Sequence, residues 1–228
     1  MAANHIVKIL HPVLHARAGT TKSQRISPGT LYAYEMRDKW AETDQKNEKS
    51  GNGKMKNSEN KFTIRQALAN DAEAMHRVMT AAAGSLQDKT LYVCDDLDYV
   101  EHYVQTDGFG VVACDEEQAV VGILLCRFPG RADNNLGRDI HLAETELDQV
   151  VHIESAAVLP ECSGNHLMQR LMVCAQGFID NEKYKYLLAT VSPDNPASFK
   201  TLEKCGFTEV MTKEKYGGLL RRIYMKEL

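Results

Sequence analysis

The sequence predicts a mixed α/β fold, an α+β sheet of about seven strands flanked by helices, over residues 62–228. Three observations predict it. Apolar residues switch between two-residue and helical spacing in the order β-α-α-β-β-(α)-β-α-β-α-β-β. Most neighbouring strand-like runs are joined by hairpin-like turns, but the runs at 150–158 and 185–191 are separated by a helix-like run, which implies a parallel crossover and hence a mixed sheet. Two passages, VLPECSGNHLMQRLM at 158–172 and SPDNPASFKTLEKCGF at 192–207, each leave a strand and open a helix.

The elements follow in order. Residues 62–67 read as a strand. Asn70 is a candidate N-cap, with Glu73 three residues on completing a capping-box-like start, and Ala74, Val78 and Ala81 follow at helical spacing. Residues 95–106 (DDLDYVEHYVQT) read as a second amphipathic helix. Runs 109–114 and 119–128 are strands joined by a hairpin at 115–118. Residues 129–135 read as loop and 143–149 as a short helix. A strand at 150–158, a helix at 165–180, a strand at 185–191 and a helix at 195–204 come next. Strands at 207–215 and 219–226, turning at Gly217-Gly218, end the chain.

The first 61 residues have a different texture. Residues 40–61 (WAETDQKNEKSGNGKMKNSENK) have almost nothing apolar to bury and read as a disordered linker. Residues 1–39 read as a weakly ordered N-terminal extension, acid-free over 1–34, with Pro12 limiting any element formed by HIVKILHPVL. Residues 1–61 hold 11 Lys+Arg and 6 Asp+Glu, a charge of +5; the remainder hold 16 and 25, a charge of −9. That acidic balance argues against a nucleic-acid surface and fits either a solvated surface without further role or one that attracts a cationic amine. No apolar run reaches the ~20 residues that span a bilayer, so no membrane association is expected. Six cysteines without a C-x-x-C pair, several in apolar runs, suit reduced thiols in a cytoplasmic protein rather than disulfides or a metal site.

Candidate functional residues lie in the two strand–turn–helix passages. Strand alternation puts His152, Glu154 and Ala156 on one face. A carboxylate among apolar neighbours is rarely a simple core residue. Burial would raise the Glu154 pKa toward a value useful to a general base. His152 is a second candidate, and for both the competing reading is a structural hydrogen bond across the sheet. After the strand, Gly164 stands where a helix begins, and a helix start offers unpaired N–H donors and partial positive charge to a phosphate. In the second passage Asn195 suits a helix N-cap, Gly206 the helix end and Phe207 the core.

Together these passages resemble the acyl-CoA-binding half of the GNAT superfamily of N-acetyltransferases. The resemblance covers residues 62–228 and implies the GNAT acyl-CoA N-acyltransferase fold, in which the fourth and fifth strands splay apart. It implies that the backbone of Ala156, Ala157 and Val158 pairs with pantetheine. The turn Ser163, Gly164, Asn165, His166, Leu167 and Met168 corresponds to the family's pyrophosphate turn, R-G-x-G-x-G or Q-x-x-G-x-G/A. Gly164 is kept; Ser163 replaces Arg or Gln, His166 replaces Gly, and Met168 replaces Gly or Ala. Asn195 and Ser198 match family positions near the cofactor. Leu202 stands where the family often has a Tyr that protonates the departing thiolate, leaving Tyr216, Tyr224 or water for that task. The implied activity is acetyl transfer from acetyl-CoA, a co-substrate, to a primary amine of a small molecule, peptide or protein, with Glu154 as base and no metal. Family members are often homodimers. The departures at Ser163, His166, Met168 and Leu202 motivate the alternative of a non-catalytic GNAT-fold protein that binds acyl-CoA or a partner.

Other signals carry less. His152-x-Glu154 with Pro160 and Cys162 faintly resembles a zinc deaminase signature, but the second cysteine is absent. Cys162 precedes a helix start, which can lower a thiol pKa, yet no His-Asn pattern accompanies it. Residues 133–139 (DNNLGRD) lack EF-hand spacing. In the resembled family that region faces the acceptor, which makes Arg138 and Asp139 candidates for substrate contact.

Overall fold

A computed structural model describes residues 61–228; the readings for 1–39 and for nearly all of 40–61 lie outside the described residues. Seven strands form one mixed sheet in the order β1-β2-β3-β4-β5-β7-β6. The strands are β1 (Thr63–Gln66), β2 (Gly108–Cys114), β3 (Val120–Arg127), β4 (Val150–Val158), β5 (Tyr186–Val191), β6 (Thr208–Lys215) and β7 (Leu219–Glu227). Only β4 and β5 run parallel, and the connection between them carries a helix, as the crossover reading requires.

Strands β2 and β3 are buried along nearly their whole length. Such continuous burial needs cover on both faces. Helices α1 (Ala72–Ser85) and α2 (Leu97–Gln105) cover one face, where Met75, Val78 and Met79 meet Val112, Ile123 and Leu125. Helix α4 (Leu167–Gln176), the crossover, covers the other, setting Leu171, Met172 and Ala175 against Val111, Leu124 and Val151. The buried stripe of α1 is Ala72, Met75, Val78 and Met79; the expected stripe through Ala81 is wrong, since Ala81 is exposed.

The start of α1 also differs from expectation. Asn70 lies inside a 3-10 turn, Ala69–Asp71, and does not cap the helix. Asp71 occupies the N-cap position, but its side chain makes no bond to the helix and reaches backward instead. Its carboxylate accepts from the Leu68 N–H at 2.7 Å and from both terminal nitrogens of Arg65 at 2.6 and 2.9 Å. Helix α2 begins as a capping rule predicts, with Asp96 accepting from the Tyr99 N–H at 2.8 Å. Directly after the expected loop at 129–135, where no element was expected, stands the four-residue helix α3 (Leu136–Asp139), capped by the Asn135 side chain. The expected helix at 143–149 is a turn followed by a 3-10 turn, Leu147–Gln149. Helix α4 is shorter than the expected 165–180, because the chain reaches Leu167 only through a left-handed residue and leaves the helix at Gly177. Helix α5 (Pro196–Lys204) and the β6–β7 turn at Gly217-Gly218 match expectation.

Replacing Asp71 with Ala leaves the Leu68 N–H and Arg65 without their acceptor and should cost about 1–3 kcal/mol in urea denaturation at pH 7. Arg65 beside it holds the Asp71 carboxyl below the usual carboxylate range, with Leu68 adding to the effect and burial opposing it. The folded pKa is therefore depressed, so this stabilisation is complete above the unfolded pKa and is lost as pH falls through the folded one. The wild type and D71A should converge in stability at acid pH.

Candidate active site

The site is set by the way β4 runs between its neighbours. β4 pairs with β5 only from Val150 to Ile153, opposite Tyr186 to Ala189. Beyond that the two parallel strands part. On its other edge β4 stays paired with β3 to Val158, but the register slips: Leu125 faces Ser155 while Cys126 faces Ile153. Glu154 is thus the extra residue of a β-bulge.

The bulge has two consequences. It shifts the alternation of side chains, so Val151, Ile153, Ala156 and Val158 pack toward the α4 face, while Ala157 packs toward α1 and α2. The expected grouping of Ala156 with His152 and Glu154 on one face is thereby corrected. It also leaves backbone groups free on the β5 side. The Leu159 N–H donates to the Val121 carbonyl at 2.9 Å, which makes Ile123 and Ala157 a hydrogen-bonded pair in the same ladder. Ala156 and Val158 therefore direct their N–H and C=O groups into the gap, whereas Ala157 directs its own to β3.

The gap opens into a cleft. Ile153, Glu154 and Ala156 line it from β4, and Ala189, Thr190 and Val191 from β5. Met168 and Met172 of α4 close one side. Asn195, Ser198 and Leu202 of α5 complete that end, and Asn195 caps α5 by accepting from the Ser198 N–H at 3.2 Å.

Of the six turn residues, only Met168 lines the cleft. Gly164 has φ +82°, and a Cβ there would meet nothing within 4 Å, so the turn needs glycine for its backbone angle and leaves open space beside it. Asn165 pins the turn by donating from its side chain to the Cys162 carbonyl at 2.9 Å. His166 is left-handed, φ 54°, in the place where the resembled family has glycine. Its imidazole is exposed and does not cap the helix. The first-turn N–H groups of Leu167, Met168 and Gln169 thus have no intrahelical acceptor and no side-chain cap. Leu167 buries its side chain under the helix, and Ser163 is exposed.

Glu154 is tied on three sides. Tyr99 of α2 donates its hydroxyl to Oε1 at 2.8 Å, His152 Nδ1 lies 3.3 Å from Oε2, and Arg127 Nη1 lies 3.9 Å from Oε2. The expectation that burial would raise its pKa is overturned. Burial does push the value up, but the hydrogen bonds from His152 and Tyr99 and the charge of Arg127 outweigh it and hold the carboxyl below its ordinary range. Arg127 is itself fixed by donating to Asn134 at 2.7 Å and by lying 5.3 Å from the centre of the Tyr103 ring.

His152 is buried, and its Nε2 accepts from the Leu136 N–H of α3 at 3.0 Å. The imidazole proton therefore sits on Nδ1, toward Glu154. Burial lowers the His152 pKa, which keeps the ring neutral. His152 is a fixed donor that orients Glu154.

Sequence reasoning missed Tyr99, Arg127 and Asp95. Asp95 accepts a 2.5 Å hydrogen bond from the Ser155 hydroxyl, and burial raises its pKa. One signal was present: Arg127 is a charge at the end of an otherwise apolar strand. The two tyrosine candidates separate. Tyr216 lines the cleft, its hydroxyl 3.0 Å from Thr190 Oγ1. Tyr224 is buried in the core, donating to Glu203 at 3.2 Å. Asp139 binds Lys213 and Lys215 of β6, and Arg138 binds Glu144, so both serve the packing of α3. Burial raises the Cys162 pKa, contrary to the expectation of a lowered thiol. All six cysteines are free, and among the described residues no helix is long and apolar enough to cross a membrane.

Known structures share this architecture. A ribosomal-protein-S18-alanine N-acetyltransferase from Escherichia coli matches 73% of this chain and 93% of its own, at 12% identity and a TM-score of 0.54. A ribosomal-protein-alanine N-acetyltransferase from Brucella melitensis matches 73% and 99%, at 21% identity and 0.54. The yncA protein of Salmonella typhimurium, solved with its cofactor acetyl-CoA, matches 73% and 94%, at 18% identity and 0.51. These are likenesses of fold. No curated protein matches the chain in sequence. The sequence pattern of the acetyltransferase (GNAT) family matches residues 73–207, more than half of the chain. The chain is a member of the GNAT acetyltransferase family.

Proposed function

We propose that the protein is an N-acetyltransferase that moves an acetyl group from acetyl-CoA to a primary amine by direct attack. The observation that carries this reading is the parting of β4 from β5 at Ile153, which leaves the Ala156 backbone unpaired in the wall of a cleft and the Val158 backbone unpaired on the same edge of β4 beyond it. The residues present fit acetyl-CoA. Ala156 and Val158 would pair with amides of an extended arm. The uncapped N–H groups of Leu167, Met168 and Gln169, reached past Gly164, suit a pyrophosphate. Asn195 and Ser198 stand on the opposite lip. Acetyl-CoA supplies an acyl carbon activated as a thioester. The Salmonella typhimurium neighbour, described with acetyl-CoA as its cofactor, supports the assignment.

The chain's own residues then act on the amine. Glu154 is anionic at neutral pH and draws in the ammonium form. It takes the proton that the amine must lose, directly or through water. His152 and Tyr99 hold its two oxygens in place, and Arg127 keeps it ionised. The Val158 N–H, facing the gap, polarises the carbonyl that the amine attacks. Tyr216 is half exposed, but desolvation of its hydroxyl pushes the phenol up, so it stays protonated and from the cleft wall would return a proton to the leaving thiolate.

A second reading has a specific observation behind it. Glu154 is fully engaged and held below the ordinary carboxylate range, and Leu202 lines the cleft in place of a phenol. A protein that binds acyl-CoA without transfer would have this appearance.

Glu154→Gln separates the two. For an enzyme, kcat should fall about 10²–10⁴-fold while the acetyl-CoA Kd stays within about twofold; an unchanged kcat removes Glu154 as the base. With the Glu154 pKa depressed and the ammonium as the form that binds, log kcat/KM should stay level through neutrality and fall above the amine's own pKa, with no break near neutrality. A break there that disappears in E154Q would show the carboxyl to be raised instead. The left-handed residue gives a further test. A non-glycine residue in that conformation is disfavoured by about 1–2 kcal/mol, offset by the greater chain entropy of glycine, so His166→Gly should stabilise the fold by up to about 1 kcal/mol in urea titration. Acetyl-CoA should bind it at least as tightly as wild type; a tenfold loss would mean that the imidazole itself contacts the nucleotide.

A further inference from the structure

Two arginines are buried in this fold, and they differ in one respect. Arg127 has Glu154 within 3.9 Å. Arg221 of β7 is 4% exposed, and among the described residues it forms no ion pair within 4.0 Å. Its bonds go to neutral groups: Nη1 donates to the Leu220 carbonyl at 2.9 Å and Nη2 to the Thr90 carbonyl at 2.5 Å. Its guanidinium lies 6.0 Å from the centre of the Tyr216 ring. Guanidinium has five N–H donors in a planar fork suited to a carboxylate, so donors remain. Arg221 feels the exposed Asp88 carboxylate, which lies beyond ion-pair distance; a buried charge without a close counter-ion is unfavourable, and an anionic ligand would complete it.

Arg221 lines the cleft, on the side built by the segment before α2. Tyr92 belongs to the same lining; its hydroxyl is buried and makes no hydrogen bond of good geometry among the described residues, although the Ser155 hydroxyl, itself committed to Asp95, lies close enough to influence it. Asp95 and Glu154 are also there. The Tyr216 phenol feels the charges of Glu154, Arg221 and Asp95 together, so positive and negative groups meet at one end of the cleft. Val93 and Tyr216, both large and well exposed, stand beside them. An ammonium suits the carboxylates, a carboxylate suits the guanidinium and the hydroxyl, and an apolar portion suits Val93 and Tyr216.

We propose that Arg221 and the Tyr92 hydroxyl bind a carboxylate on the acceptor, which makes the acceptor a free amino acid rather than an amine of a peptide or protein chain. The inference rests on the N-acetyltransferase reading of the cleft and names its substrate class. Arg221 acts here as a specificity-determining residue; the acyl carbon is not its concern. A purely structural Arg221, tying Thr90 to β7, would treat acids and amides alike, which gives the test its discriminating power.

The experiment uses the full chain and compares the twenty common L-amino acids with their α-amides. Each pair is assayed for acetyl transfer and, with free CoA present, for binding by calorimetry. Wild type should favour at least one amino acid over its amide by tenfold or more. Arg221→Gln should lower kcat/KM or affinity for that acid about 10–100-fold while leaving the amide within about threefold. Arg221→Lys should restore part of the preference. Tyr92→Phe, which removes only a hydroxyl, should weaken the acid about three- to tenfold and serves if R221Q fails to fold. Selective binding without transfer would uphold the carboxylate site and remove the transferase reading. Transfer without preference for the acid would do the reverse. Equal losses on acid and amide in R221Q, or no amino acid recognised in either assay, would overturn the proposal.

Discussion

The structure turns on the bulge at Glu154. A strand must alternate its faces and pair on both edges if it runs regularly through a sheet, and β4 does so only up to Ile153. The extra residue lets β4 keep its bonds to β3 while it swings away from β5. One inserted residue thus opens the gap, turns the Ala156 and Val158 backbone into it, and brings a carboxylate to its edge. Every other element near the site holds this arrangement: α4 and α5 wall the gap, α2 supplies Tyr99, and α3 supplies the N–H that fixes His152.

Charge near the bulge is arranged in order of depth. His152, deepest, is neutral and keeps one tautomer because a backbone donor occupies its other nitrogen. Glu154, above it, stays ionised because two donors and an arginine outweigh its burial. A lone carboxylate at that depth would take up a proton instead. The direction of the Glu154 shift therefore reflects its neighbours more than its burial, and three of those neighbours come from other elements or from β4 itself.

That is also why the fold was legible in the sequence and the site only in part. Order, hairpins, the crossover and the β6–β7 turn are local patterns, and each strand falls within a residue or two of its expected place. Glu154 and the turn at Gly164 were visible because a charge in an apolar strand and a glycine before a helix are local anomalies. Tyr99 and Asp95 were not, since 55 residues separate Tyr99 from Glu154 and 60 separate Asp95 from Ser155, and Arg127, a charge at a strand end, gave a signal without its partner. Periodicity also cannot foresee a bulge: strict alternation placed Ala156 on the wrong face, because one unpaired residue reverses all that follow. Asn70 lost the helix start to Asp71 because Arg65, six residues earlier on β1, selects the charged side chain. Helix α3 was hidden by its length, four residues being too few to show a repeat.

The parted strands have a consequence for solubility. Unpaired N–H and C=O rows usually occur at the rim of a sheet, where they invite a strand from another molecule and so promote aggregation. Here such a row lies in the middle of the sheet. The lips are β4 beyond Ile153 and the last residues of β5, and α4 and α5 wall the gap between them. The row is screened by flanking helices rather than by a paired strand, so a β-strand from another molecule meets those helices before it meets the row. The same sterics that shape the cleft thus guard an internal edge that would otherwise be a liability.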